Sequence, residues 1–192
     1  MAADPALSTI LPACHAAPAE EIADGHARLE QEVVELFAQF RRRLLRYLAN
    51  FGFGISDGEE IIQEVFLALF QHLQRGKSRQ DLRAWLFRVT HNQAVKRRNQ
   101  NRRQLETMAE QGFEDSAADP EPNPEARLVE RESQDRLQAV LKALPEQDRQ
   151  CLVLRAEGLR YREIAGILNM SLGAVSLSLA RSLARIGRAA ER

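Results

Sequence analysis

The sequence has few of the features that mark membrane, disulfide-rich or metal-binding proteins. Its 192 residues include two cysteines, Cys14 and Cys151, too few and too far apart for a disulfide scaffold or a zinc site. No apolar run approaches the roughly 20 residues of a membrane span. The N-terminus has no Lys or Arg before Arg28, which argues against a secretory signal. We therefore expect a cytoplasmic protein with no membrane association, no metal and no cofactor.

Groupings that support catalysis are also missing. The four histidines are scattered, no pair of carboxylates has a base partner, and there is no glycine-rich phosphate loop. We therefore expect that the protein is not an enzyme. Cys151, within the apolar segment CLVL, is expected to be a small buried side chain.

Net charge is zero, but its distribution along the chain is uneven. Residues 1–40 carry a net charge of −6 and residues 105–135 one of −8, whereas residues 41–104 carry +9 and residues 136–192 carry +5. Exposed charges act over about a Debye length of 10 Å, so each basic block can attract phosphate whatever the total charge is.

Apolar periodicity predicts an all-α fold of two small helical domains joined by an acidic flexible linker. Residues 1–28 are alanine-rich and lack periodicity, which predicts a disordered tail. The first domain covers residues 29–104, the acidic and proline-containing linker covers residues 105–132, and the second domain covers residues 133–192.

Three helices are expected in the first domain. The first begins near Leu29 and ends before Gly52. The second opens at Ser56-Asp57-Gly58-Glu59, which has the spacing of a capping box. The third runs from about Asp81 to Arg103.

The third helix carries a basic and amide-rich surface. Lys96 belongs to a run of like charges, which favours a partner of opposite charge over a merely solvated face. Trp85 borders the apolar stripe, so both a core role and stacking on an unpaired base remain open. The other side chains that lie away from the stripe and can bind phosphates and base edges are Arg88, His91, Asn92, Arg98 and Asn99.

The second domain ends in a pattern typical of a helix-turn-helix. Asn169 sits at the sharp turn and tolerates a left-handed backbone, and Ala165 is small where the helices cross. Helical spacing predicts a core face of Val175, Leu179, Leu183 and Ile186. The candidate DNA-contacting residues are Arg160, Arg162, Ser176, Leu177, Ser178, Arg181 and Arg185. The alternative is a structural helical hairpin without DNA contacts.

Three segments in order resemble one family, the bacterial extracytoplasmic-function sigma factors of RNA polymerase. GEEIIQEVFLALFQHL is similar to the polymerase-docking helix of the family, and LRAWLFRVTHNQAVKRRNQNRR to its minus-ten promoter helix. LPEQDRQCLVLRAEGLRYREIAGILNMSLGAVSLSLAR is similar to its minus-thirty-five domain.

The resemblance implies core RNA polymerase and promoter DNA as partners, with an anti-sigma factor as a further candidate. It implies polymerase docking through Glu60, Gln63, Glu64 and Leu67. The loop from Gln74 to Gln80 would hold a flipped base. Ser176, Ser178, His91 and Lys96 depart from the residues usual in the family, so a promoter sequence does not carry over.

Three alternatives differ from this interpretation. A DNA-binding regulator that works without polymerase has no need of the outward Gln63-Glu64 pair beside Leu67. An adaptor that only sequesters polymerase has no need of the basic third helix. An enzyme would need the catalytic groupings that are missing.

Overall fold

The computed structural model describes the backbone of residues 19–110 and 139–190, and the side chains of residues 25–104 and 139–188. Within these ranges the regular elements are α-helices, as predicted. Six helices within the described ranges are α1 (Ala19–Ala49), α2 (Ile55–Gln74), α3 (Leu82–Glu110), α4 (Glu146–Ala156), α5 (Tyr161–Leu168) and α6 (Leu172–Ala190). Cys14, most of the acidic linker and the start of the second domain lie outside the described residues.

Helices α1, α2 and α3 form an N-terminal bundle around one apolar core. Leu44, Tyr47, Ile62, Leu69 and Phe87 have no exposed surface. Aromatic rings add edge-to-face contacts, since the Tyr47 and Phe87 ring centroids lie 5.5 Å apart at an interplanar angle of 83°. The buried leucines recur at helical spacing, which is why periodicity located these helices correctly.

The ends of these helices differ from the predictions. Helix α1 begins at Ala19, so the predicted disordered tail is wrong for residues 19–28. Alanine favours helix there, and acidic side chains suit the positive end of a helix. Helix α3 runs to Glu110, six residues into the predicted linker. No glycine or proline interrupts that segment before Gly112.

The predicted capping box at the start of α2 is wrong. Gly54 is the N-cap, and no side chain caps the helix. Glu59, the acidic member of the predicted box, pairs instead with Arg41 of α1. The Glu59 carboxylate therefore forms an ion pair with a neighbouring helix and does not cap the start of α2.

Residues 139–190 form a C-terminal unit that contains α4, α5 and α6. Its buried residues include Cys151, Leu154, Ile164 and Val175, none of which has exposed surface. The burial of Cys151 confirms the prediction. No single helix in the described ranges is long and apolar enough to cross a membrane, although α5 and α6, bent by 103° at the turn, pass that test jointly on length and composition.

Candidate nucleic-acid interface

The turn between α5 and α6 has the predicted geometry. Asn169 adopts a left-handed backbone, with φ 53° and ψ 47°, and ends α5. The Ser171 hydroxyl then accepts a hydrogen bond from the Ala174 amide at 3.1 Å, which caps the start of α6. At the start of α5, the Glu163 carboxylate accepts from the Arg160 amide. Local side chains therefore fix where both helices begin and where the chain turns.

Ser178 corrects the predicted orientation of α6. It was expected on the DNA-facing side, but it has no exposed surface and donates a hydrogen bond to Asp148 of α4 at 2.7 Å. Ser182 is also fully buried and donates to the Ser178 carbonyl at 2.9 Å. Leu183, expected in the core, is 60% exposed. The buried face of α6 is therefore centred on two serines and Val175.

Asp148 explains why the buried face of α6 differs from the predicted one. Asp148 is 3% exposed, and its carboxylate accepts from Ser178 and, at 3.0 Å, from Arg181. A buried carboxylate is costly unless it is hydrogen-bonded and paired, so α6 turns toward α4 the face that carries both donors. Spacing alone missed this because serine counts as polar and Asp148 lies thirty residues from Ser178.

The remaining face of α6 is exposed and lightly charged. Ser176 and Arg185 are exposed, and Leu177 is 57% exposed. Arg181 keeps about half of its side chain accessible while it pairs with Asp148. At the start of α5, Arg160 and Arg162 are exposed. The arrangement offers short polar and apolar groups at its centre and guanidinium groups at its rim.

The predicted minus-ten residues of α3 divide into two sets. All of them are exposed except His91, which is half-buried, and Asn92, Lys96 and Asn99 form the first set. Arg88, His91 and Arg98 form the second set, which lies along the side of α3 that faces the C-terminal unit.

Each residue of the second set has neighbours in other parts of the chain, although Arg88 and Arg98 stay exposed. Arg98 pairs with Glu146 of α4, and its guanidinium lies 5.6 Å from the centroid of the Phe51 ring. The Arg88 guanidinium lies beside Gly166 of α5, where an added Cβ would be 3.4 Å from Nη2.

His91 forms a hydrogen bond with the bundle core. Its Nδ1 lies 2.9 Å from the Tyr47 hydroxyl. Burial lowers the pKa of His91 below 6.5; the positive charge of Arg98 lowers it further, and Glu146 opposes both. Burial and the neighbouring Arg98 cation thus favour the neutral imidazole.

The loop after α2 is exposed from Gln74 to Gln80, with Gly76 at a positive φ of 65°. Trp85 lies at its base, half-buried, with its ring centroid 4.9 Å from that of His72. The Trp85 side chain packs against the bundle core, which favours the core role among the two left open.

The predicted docking residues share one exposed face of α2. Gln63 and Glu64 are exposed, and Leu67 is 60% exposed. Glu60 lies on the same face and pairs with Arg97 of α3. No group of three His, Cys, Asp or Glu side chains among the described residues could hold a metal ion.

Comparison with known families gives two matches along the chain. The family described as Sigma-70 region 2 matches residues 36–104, and the family described as Sigma-70, region 4 matches residues 134–186. The chain belongs to the sigma-70 family. That family consists of transcription initiation factors and not of enzymes, and its relatives place this sigma factor in the extracytoplasmic-function group.

Named relatives agree with the assignment. The ECF RNA polymerase sigma factor SigE of Mycolicibacterium smegmatis is 33% identical over 145 residues, which are 73% of this chain and 54% of that protein. A protein of Xanthomonas campestris named Probable RNA polymerase sigma factor RfaY is 31% identical over 134 residues, 69% of this chain and 34% of that protein. The sigma factor thus spans about half, or less, of the length of these two relatives.

A solved structure supports the fold. The sigma factor RpoE from Bartonella quintana, crystallised with the anti-sigma factor NepR, superposes with a TM-score of 0.61 at 16% identity. The match covers 84% of this chain and 98% of that one. The all-α fold with a C-terminal helix-turn-helix, as predicted, thus holds for the described residues and agrees with this structural similarity.

Proposed function

We propose that this sigma factor binds core RNA polymerase and directs promoter recognition, DNA melting and transcription initiation in the cytoplasm. What supports the proposal is that one chain carries two exposed surfaces with basic and polar side chains, on α3 and on α6, beside the exposed face of α2. A regulator that works without polymerase needs only the surface on α6.

The exposed face of α2 is the proposed polymerase contact. Leu67 lies between polar neighbours, and an exposed apolar side chain at the centre of a polar rim is typical of a protein interface. Leu67→Glu should abolish co-elution with core polymerase and the appearance of transcripts. Val34→Glu on α1 is a matched control, because Val34 is also 60% exposed. If both variants co-elute equally with core polymerase, this face of α2 is not the docking site.

For the minus-ten strand, α3 offers groups of two kinds. The Asn92 amide both donates and accepts, so it can distinguish base edges, whereas Lys96 only donates and suits phosphate. Asn92→Ala should relax sequence preference at one position by about 1–3 kcal/mol, and Lys96→Ala should weaken all sequences alike. Permanganate footprinting of the open complex measures both effects. Melting that neither variant alters would argue against this surface.

For the minus-thirty-five duplex, α6 would contact bases through Leu177 and Ser176 and phosphates through Arg185 and Arg181. An apolar side chain can contact a thymine methyl group. Arg185→Ala should flatten the salt dependence of duplex binding by about 0.9 in log–log slope, and Ser176→Arg should steepen it by a similar amount. Ser178→Arg is unsuitable for this test, because Ser178 is buried. Unchanged slopes would place this face away from DNA.

An anti-sigma factor is a further proposed partner. Two solved structures similar to this fold are complexes of RpoE with NepR and of CnrH with the cytosolic domain of CnrY. Co-purification of the tagged sigma factor from its native cells tests this proposal, and recovery with polymerase subunits alone would contradict it.

A further inference from the structure

Arg149 of α4 is a half-buried cation without a negative partner. Its Nη2 donates at 3.0 Å to the carbonyl of Asn50, the residue that follows α1. Its Nε is buried and has no hydrogen-bond partner, and no carboxylate in the described part of the chain pairs with this guanidinium group. One backbone carbonyl is therefore the only acceptor that the described residues give to Arg149.

Comparable arginines elsewhere in the described ranges are all neutralised. Three others are half-buried, and each forms an ion pair with a carboxylate: Arg41 with Glu59, Arg43 with Glu157 and Arg97 with Glu60. Taking a cation out of water is unfavourable unless an anion or a full set of hydrogen bonds compensates it. Arg149 is the exception, so its surroundings favour the arrival of an anion.

Arg149 borders a cleft of about 490 Å³ between the end of α1 and the start of the C-terminal unit, here called the Arg149 cleft. Phe51 and Leu141 give it apolar surface, and exposed Lys142 adds a second cation at its border. The one carboxylate that lines it, from Glu146, already accepts from Arg98 and, at 2.9 Å, from Gln150. Two positive charges at the cleft thus remain without a paired carboxylate.

We propose that the Arg149 cleft binds a small organic anion, a phosphate or carboxylate attached to an apolar body. Small-molecule sites are typically concave spaces of roughly 300–1,000 Å³ at the junction of two units, with apolar walls and a few polar groups. A guanidinium group binds phosphate or carboxylate through charge-assisted hydrogen bonds, and Lys142 adds its charge. Phe51 and Leu141 cover the apolar body, which a bare inorganic anion lacks.

Three probes separate charge from apolar contact: phenyl phosphate carries both features, and inorganic phosphate and phenol carry one each. In nitrogen–proton spectra of the full-length chain at fixed ionic strength, phenyl phosphate should shift the amide signals of Asn50, Phe51 and Arg149 until they saturate. The other two probes should bind at least about tenfold more weakly. Equal affinity for phenyl phosphate and inorganic phosphate, or shifts confined to α3 and α6, would overturn the proposal.

Two variants test the cations. Arg149→Gln keeps a donor for the Asn50 carbonyl but loses the charge, and should weaken phenyl phosphate binding at least about tenfold. Lys142→Gln should weaken it about threefold, and because Lys142 is exposed this change should leave the fold intact. Lys77→Gln is the matched control, because Lys77 is an exposed lysine outside the cleft. If Lys142→Gln binds as tightly as Lys77→Gln, the anion does not sit in this cleft, whether or not Arg149→Gln folds.

The DNA backbone is another source of phosphate, and competition distinguishes it from a small molecule. A single-stranded 12-mer of mixed sequence, added to the chain saturated with phenyl phosphate, should leave the shifted signals of Asn50 and Arg149 unchanged. Arg149→Gln should then bind the 12-mer as the unaltered chain does. If the 12-mer displaces phenyl phosphate and Arg149→Gln weakens both ligands alike, the cleft binds nucleic acid and the small-molecule assignment is wrong.

Discussion

Asp148 determines which face of α6 is buried, so replacing it should lower the free energy of unfolding by a calculable amount. Asp148→Ala leaves the fully buried Ser178 hydroxyl without its acceptor, which costs about 1–3 kcal/mol. The pair with Arg181 adds at most about 1 kcal/mol, because that side chain is 54% exposed. Removal of a buried carboxylate also removes its desolvation cost, which offsets part of the loss. We expect a net destabilisation of about 2 kcal/mol.

Asp148→Asn is the matched comparison. The asparagine carbonyl oxygen still accepts from Ser178, and only the charge toward Arg181 is lost, so the expected cost is below about 1 kcal/mol. Urea unfolding of the full-length chain, followed by circular dichroism, gives both values. Amide hydrogen exchange in α6 locates the loss. If Asp148→Asn is as harmful as Asp148→Ala, the hydrogen bond to Ser178 is not what stabilises the unit.

Three further predictions follow from burial, backbone conformation and pKa. Leu179→Ala should cost about 2–4 kcal/mol and Leu183→Ala less than about 0.5 kcal/mol in urea unfolding, and equal costs would contradict the rotation of α6. Asn169→Val should lower the free energy of unfolding by about 1–2 kcal/mol because the φ of this residue is positive, whereas Asn169→Gly should leave it nearly unchanged. If Asn169→Gly also destabilises the protein, the Asn169 side chain itself contributes to stability. The pKa of His91 is lowered in the folded chain, so its stabilising contribution is present above about pH 6.5 and is lost as pH falls below that value. His91→Gln should therefore flatten the decline in unfolding free energy between about pH 7 and about pH 5.5, and an unchanged slope would assign the decline to other groups.

Sequence patterns located the helices and the turn for clear physical reasons. Buried leucines such as Leu44 and Leu69 recur at helical spacing, and a left-handed Asn is a local property of the chain. The exposed positions of Asn92 and Leu177 also agree with the helical periodicity, although their roles stay predictions.

What the sequence did not reveal depends on distant partners. Ser178 is buried because of Asp148, and the Glu59 carboxylate pairs with Arg41 instead of capping α2. The pairing of Arg98 with Glu146 of the C-terminal unit was likewise not foreseen, while the role of Arg98 at DNA stays a prediction. Local periodicity carries no information about such pairs, since they depend on how separate helices are arranged in space.

The position of Trp85 makes it a natural optical probe of one half of the molecule. It is the only tryptophan in the 192 residues, and it lies in α3 against His72 at the base of the loop from Gln74 to Gln80. Tryptophan emission of the unlabelled protein therefore reports on the N-terminal bundle. It should not change when only the helix-turn-helix unfolds. If thermal unfolding followed by fluorescence and by circular dichroism gives different midpoints, the two halves differ in stability, and no label is needed to show it.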